Sequence, residues 1–180
     1  MSASGRTEDT RALARVAELL AQLLLHELDA ERLARLNEPE LRAALLELGL
    51  EPPAPDADLD ELAADFLEAY VQPKEGGPLV QSLWVEGSYE GECAAQVRRL
   101  AQAVGLEHHR ASARGAAPDH LGCLLLLWAQ ASQARPEVAE RLVSEHFEWA
   151  LTPLRRIARG SGFYARLAAS CADWIELQRA

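Results

Sequence analysis

The chain has 180 residues, 49% of them hydrophobic and 26% charged, which is ordinary for a soluble globular protein able to bury a core without disulfides or metals. Its 28 acidic residues against 18 basic ones give a formal charge of -10, and this charge repels a phosphate backbone. Nucleic acid is therefore excluded as an expected partner, whereas basic partners are favoured.

The three cysteines, Cys93, Cys123 and Cys171, are scattered and form no Cys-x-x-Cys pair. This spacing predicts reduced thiols in a reducing compartment. The first residues, "MSASGRTEDTRALAR", lack the apolar core of a signal peptide, and the longest apolar run, "CLLLLWA", is too short to cross a bilayer. We expect a cytoplasmic protein without stable membrane insertion.

The first part of the chain predicts helices separated by proline. Apolar residues at three- and four-residue spacing predict an amphipathic helix over residues 10–28. A second pattern over residues 31–48 predicts two short helices, because Pro39 interrupts it, and Gly49 is the expected stop. Residues 51–58, "EPPAPDAD", predict a stiff, exposed, Pro-rich connector.

A long irregular segment is predicted after the next helix. Residues 58–71, "DLDELAADFLEAYV", have a helical pattern, whereas residues 72–89, "QPKEGGPLVQSLWVEGSY", carry two prolines, three glycines and no helical period. Such a segment in a compact helical protein is usually functional or disordered. Its apolar middle, "PLVQSLW", favours a functional loop.

The remaining segments complete an all-helical pattern. Helices are predicted over residues 91–104, from the start of "APDHLGCLLLLWAQ" to Pro136, over residues 137–158 with a bend or break at Pro153, and over residues 162–178. The polar stretch 105–117 is predicted to be a loop that holds His108 and His109. Residues 1–180 are expected to form a single-domain, all-α bundle of six to eight helices.

Motifs for catalysis, metals and cofactors are not found. The sequence has no Gly-rich phosphate-binding loop, and Ser82 lies in no Gly-x-Ser-x-Gly elbow. The five histidines form no His-Glu-x-x-His motif, and no Cys/His spacing fits a zinc site. No cofactor or metal is predicted.

The pair Asp119 and His120 stands directly before the most apolar run of the chain. Pro118 followed by an aspartate is typical of a helix start, where a carboxylate satisfies free backbone N–H groups. Capping by Asp119 is the simplest interpretation. It does not explain His120, since a charged histidine is disfavoured at the positive end of a helix.

The tryptophans divide into two groups. Trp128, Trp149 and Trp174 are expected in the core because they recur within helical patterns. Trp84 lies in the irregular segment, where a large amphipathic ring either covers the core or contacts a ligand. The sequence favours neither role.

Three blocks of the sequence resemble the TorD/DmsD/NarJ family of redox-enzyme maturation chaperones. They are "FLEAYVQPKEGGPLVQSLWVEG", "PDHLGCLLLLWAQ" and "EHFEWALTPLRRIARGSGFYARLAASCADWI", and they follow the family's order over roughly residues 62 to 177. The first block departs from the family pattern, because Leu79 and Val80 replace a proline and an aromatic residue.

The resemblance implies a cytoplasmic, non-enzymatic chaperone for a molybdenum-cofactor oxidoreductase. It would bind the twin-arginine signal peptide or apo form of that enzyme before export. The residues carried over from the family as client-binding are Ser82, Trp84, Pro118, Asp119, His120 and Leu121. Asp119 has the chemistry to accept an arginine guanidinium in a charge-assisted pair.

Two other functions stay open at this point. One is a helical metal-dependent hydrolase that uses Asp119, His120 and His146. The other is a general adaptor that binds helices without selectivity for arginine. The oligomeric state is also open between a monomer and an exchange-prone dimer.

Overall fold

The computed structural model describes residues 3–73, 78–103, 105 and 115–180. Within these ranges all regular elements are helices, and the one extended pairing is an isolated antiparallel bridge between Val80 and His120. The predicted all-α fold is confirmed. The part of the predicted loop that holds His108 and His109 lies outside the described residues.

The described residues form ten α-helices, more than the six to eight predicted. They are α1 Ala3–Leu25, α2 Ala30–Leu36, α3 Pro39–Glu47, α4 Leu59–Phe66, α5 Gln81–Val85, α6 Glu92–Ala103, α7 Leu121–Ala134, α8 Pro136–His146, α9 Leu151–Ile157 and α10 Gly162–Arg179. A π-helical segment, Leu67–Val71, continues α4, and a 3-10 turn, Glu148–Ala150, precedes α9.

Proline marks helix starts more often than helix breaks. Pro39 is the first residue of α3, so the predicted division of residues 31–48 is confirmed, and Gly49 follows α3 with φ 71°. The predicted break at Pro153 is wrong. Pro153 lies in the first turn of α9, where a missing N–H has no bond to lose, and the break comes earlier, at Phe147.

The predicted irregular segment, residues 72–89, contains the helix α5. Five residues are too few to produce a visible helical period, which is why the sequence did not reveal it. The Pro-rich connector at 51–58 has no regular element, as predicted, although Pro52 is buried.

One hydrophobic core joins α1, α7 and α10. Most positions of α7 are buried, and a Cβ added at Gly122 would lie 2.6 Å from Cγ of Leu25, so the small residue lets α1 and α7 approach closely. Trp128 and Trp174 pack edge-to-face with their centroids 4.6 Å apart, as expected for core residues. Trp149 is half-buried against the same core.

Two further expectations concern thiols and membranes. Cys93, Cys123 and Cys171 are all buried, and none of the three takes part in a disulfide bond. In the described part of the chain, no helix combines the length and apolarity needed to cross a membrane.

Candidate functional site

A short strap, residues 78–86, docks on the start of α7. The peptide N–H of Leu121 donates to the carbonyl of Leu79 at 2.8 Å, and the N–H of Gln81 donates to the carbonyl of Asp119 at 3.0 Å. These two bonds flank the bridge between Val80 and His120. The strap therefore joins the predicted functional loop to the predicted Asp-His motif through backbone pairing.

Asp119 holds the strap rather than its own helix. The side chain is fully buried, and its Oδ2 accepts the backbone N–H of Ser82, the second residue of α5, at 2.7 Å. Its Oδ1 is buried without a hydrogen-bond partner in the part of the chain that the structure describes. The expectation that Asp119 caps α7 is wrong, since its carboxylate satisfies the first turn of α5 instead.

His120 is the residue that caps α7. Its backbone is extended, and Nδ1 accepts the N–H of Gly122 at 3.1 Å. Burial lowers the pKa of His120 to about 4, so the ring is neutral near pH 7 and Nδ1 is free to accept. A neutral acceptor avoids the conflict with the helix dipole that made this histidine difficult to explain from sequence.

The remaining predicted residues surround this contact. Ser82 and Leu121 are fully buried, and Pro118 is half-buried. The indole Nε1 of Trp84 donates to the carbonyl of Pro78 at 3.0 Å, and the guanidinium carbon of Arg156 lies 6.0 Å from the centre of its ring. Trp84 thus anchors the strap and keeps part of its ring at the surface.

Gln81 and His146 fasten the strap from a third direction. The Oε1 of Gln81 is 2.8 Å from Nδ1 of His146, and its Nε2 donates to the carbonyl of Glu145 at 3.3 Å. Because that Oε1 is an acceptor, Nδ1 of His146 carries the hydrogen. Burial lowers the pKa of His146, which favours the neutral ring.

The sequence-based site did not include Gln81. Its signal was a glutamine inside the apolar run "PLVQSLW", because a polar side chain in a buried run must find hydrogen-bond partners.

Glu86 fixes the other end of the strap. Its two carboxylate oxygens accept the N–H groups of Glu92 and Cys93, at 2.8 and 2.7 Å, and so cap α6. A hydrogen bond from the Cys93 thiol, together with these two backbone N–H groups, lowers the pKa of Glu86. Glu86 was also missed by sequence, because the acidic run around it read equally well as a solvated face.

The polar side-chain atoms of Asp119 and His120 do not point toward a common ligand position. Oδ2 of Asp119 and Nδ1 of His120 accept N–H groups from different helices, Ser82 and Gly122 respectively. Across residues 3–73, 78–103, 105 and 115–180, no group of three His, Cys, Asp or Glu side chains has the arrangement of a metal site. The thiol of Cys123 has its pKa raised to about 12 by burial and by the Asp119 carboxylate, so it stays protonated.

The fold and the strap define an all-α protein that closes a short helical segment over the start of its most buried helix. A family model described as nitrate reductase delta subunit matches residues 7–149, most of the chain. The chain belongs to the nitrate reductase delta subunit family. This result confirms the resemblance to the TorD/DmsD/NarJ chaperones, which are of the same type.

Comparison with solved structures agrees on the fold. A crystal structure from Archaeoglobus fulgidus, of a protein assigned as a redox enzyme maturation protein, aligns with a TM-score of 0.63 over 93% of both chains. The two sequences are 21% identical, so this likeness establishes the fold alone. No curated protein matches the sequence significantly.

Proposed function

We propose that the chain is a cytoplasmic chaperone for a molybdenum-cofactor oxidoreductase. It binds the twin-arginine signal peptide, or another segment of the apo form, and assists maturation before export without catalysing a reaction. Membership of the nitrate reductase delta subunit family supports this function. The Archaeoglobus protein, which shares the fold, is itself assigned to redox enzyme maturation.

The observation that carries the proposal is the meeting of the three family-like blocks at the strap. Ser82 from the first block bonds to Asp119 from the second, and Gln81 bonds to His146 from the third. Residues far apart in the sequence thus build one buried polar junction. Such a junction supports a binding surface, because it fixes the strap at a defined position.

The six site residues have different roles in this proposal. Trp84, Pro118 and His120 keep part of their surface exposed, and in the proposal they contact the client. Ser82, Asp119 and Leu121 are buried and position the strap.

The surface near the strap suits a client that is both basic and apolar. Val85 and Tyr89 are each 59% exposed and follow Trp84 along the chain. The formal charge of -10 attracts a basic segment, and the exposed apolar side chains offer contacts to the apolar part of a leader.

Calorimetric titration tests this function. The probe is a synthetic peptide with an Arg-Arg pair followed by a leucine- and alanine-rich segment. We expect saturable binding at equal stoichiometry, weakened at high salt because charged pairs are screened. Failure of the wild-type protein to bind this peptide would reject leader binding.

The two other candidate functions give different results. An adaptor without arginine selectivity would bind a Lys-Lys version of the peptide equally well, whereas the proposed chaperone binds it more weakly, since lysine lacks the bidentate fork. A metal-dependent hydrolase would retain a stoichiometric metal after purification, and elemental analysis would detect it.

A further inference from the structure

A surface groove lies between two helical walls beside the strap. One wall is the end of α4 with its π-helical continuation, and the other is the end of α9 with the start of α10. The groove has a volume of about 380 Å³, within the range of sites that hold a ligand or a few side chains.

Aromatic packing joins the two walls of the groove. The rings of Phe66, Tyr70 and Tyr164 pack edge-to-face with centroids 5.4 to 5.7 Å apart. The hydroxyl of Tyr70 also donates to the carbonyl of Tyr164 at 2.6 Å. These contacts tie the α4 wall to α10, so a ligand would meet a preformed groove and lose little free energy in ordering it.

The two walls differ in charge. Asp65 and Glu68 lie one helical turn apart on the α4 wall, and both are exposed. Arg156 lies on the opposite wall, where its guanidinium faces the ring of Trp84. The same wall as Arg156 also contributes the apolar side chains of Ile157 and Ala165 to the lining.

A client arginine requires an exposed carboxylate, and Asp119 is buried. Asp119 is fully buried and bonded to the strap, so a guanidinium cannot reach it without displacing Ser82. Asp65 is exposed, and it forms no hydrogen bond or ion pair with another described residue.

We propose that this groove binds the arginine pair of the client segment, with Asp65 as the acceptor and Glu68 as a second negative charge on the same wall. The inference rests on the proposed chaperone function and names the surface that recognises the basic part of the leader. The carboxylate of an exposed aspartate such as Asp65 accepts two N–H groups from one guanidinium in a bidentate pair. The apolar residues that follow the arginines then lie along Ile157 and continue toward Trp84, which Arg156 links to the groove.

A pair of matched variants tests the groove. Asp65→Asn with Glu68→Gln removes both carboxylates and keeps the side-chain shapes, and Glu18→Gln with Glu140→Gln removes two exposed carboxylates outside the groove. The probe is the Arg-Arg peptide, titrated by calorimetry at low and high salt. We expect about tenfold weaker binding and a shallower salt dependence for the groove variant. The control variant should stay within about twofold of wild type, because distant exposed charges are screened.

The outcomes distinguish a failure of the groove assignment from a failure of leader binding. If wild type binds and the groove variant binds equally tightly, the groove assignment is wrong while the chaperone function stands. If both variants lose affinity alike, net charge and not the groove attracts the peptide, and the assignment is again wrong. If wild type does not bind, leader recognition fails and the groove assignment fails with it. Equal melting temperatures of the three proteins would show that a loss of binding is not a loss of folding.

Discussion

The sequence indicated that Asp119 caps a helix, but it did not indicate which helix. A Pro-Asp pair before an apolar run predicts a helix cap, and the prediction of a capping carboxylate was right in kind. The capped helix is α5 and not α7, since Oδ2 accepts the N–H of Ser82. Tertiary contact decided which N–H groups the carboxylate reached, and no local pattern contains that information.

The position of Asp119 predicts a loss of stability on substitution. Asp119→Ala leaves the buried N–H of Ser82 without its acceptor, which typically costs about 1–3 kcal/mol of unfolding free energy. Urea denaturation measures this loss, and Asp56→Ala in the exposed connector is the control. If the two variants were equally stable, Asp119 would not hold the strap as described.

His120 predicts a pH dependence of stability. Its folded pKa, about 4, lies below the ordinary value of 6.5, so the unfolded chain binds the additional proton between these values. The contribution of the neutral cap is therefore complete above pH 6.5 and is lost as the pH falls toward 4. One such group contributes at most about 1.4 kcal/mol per pH unit.

The variant His120→Asn isolates this effect. Asparagine keeps a capping oxygen but does not titrate. We expect denaturation midpoints that fall less steeply with acidification for His120→Asn than for wild type, while His146 titrates in both proteins. Parallel midpoint profiles would argue against a neutral His120 cap.

At the scale of elements, the long helices were predictable and the strap was not. The apolar spacing and Pro39 located α1 to α3, because local pattern and local chemistry agree there. The helix α5 is too short for a period, and it is held by the bond from the Ser82 N–H to Asp119 and by the bond from Gln81 to the carbonyl of Glu145. The break near Phe147 has no proline at that position to signal it, and the ring of Phe147 is fully buried.

The contact between α1 and α7 depends on Gly122. Gly122→Ala would bring a methyl group within 2.6 Å of Cγ of Leu25, and overpacking of this kind typically costs about 1–3 kcal/mol. Shortening Leu25 should relieve the clash, so Gly122→Ala with Leu25→Ala should lose less stability than the sum of the two single variants. A double-mutant cycle by denaturation measures this coupling, and simple additivity would contradict the close approach.

At the scale of the whole molecule, the sequence predicted the fold class and the family. The predicted site residues also include most of those that form the strap junction. The sequence did not predict which of them are exposed. Asp119 and Leu121 are fully buried, whereas the acidic pair Asp65 and Glu68 became a candidate only when α4 and α9 were seen to face each other across a groove. The exposure of a side chain depends on how the helices pack, and a sequence motif does not determine that packing.

The most direct test of the account maps the bound peptide on the protein. In an amide NMR titration with the Arg-Arg peptide, we predict chemical-shift changes at residues 65–73, at the indole of Trp84 and at residues 156–165. The helices α2 and α3, which do not line the groove, should change little. Saturable changes confined to α2 and α3 would contradict the groove, and no change anywhere would contradict leader binding as well.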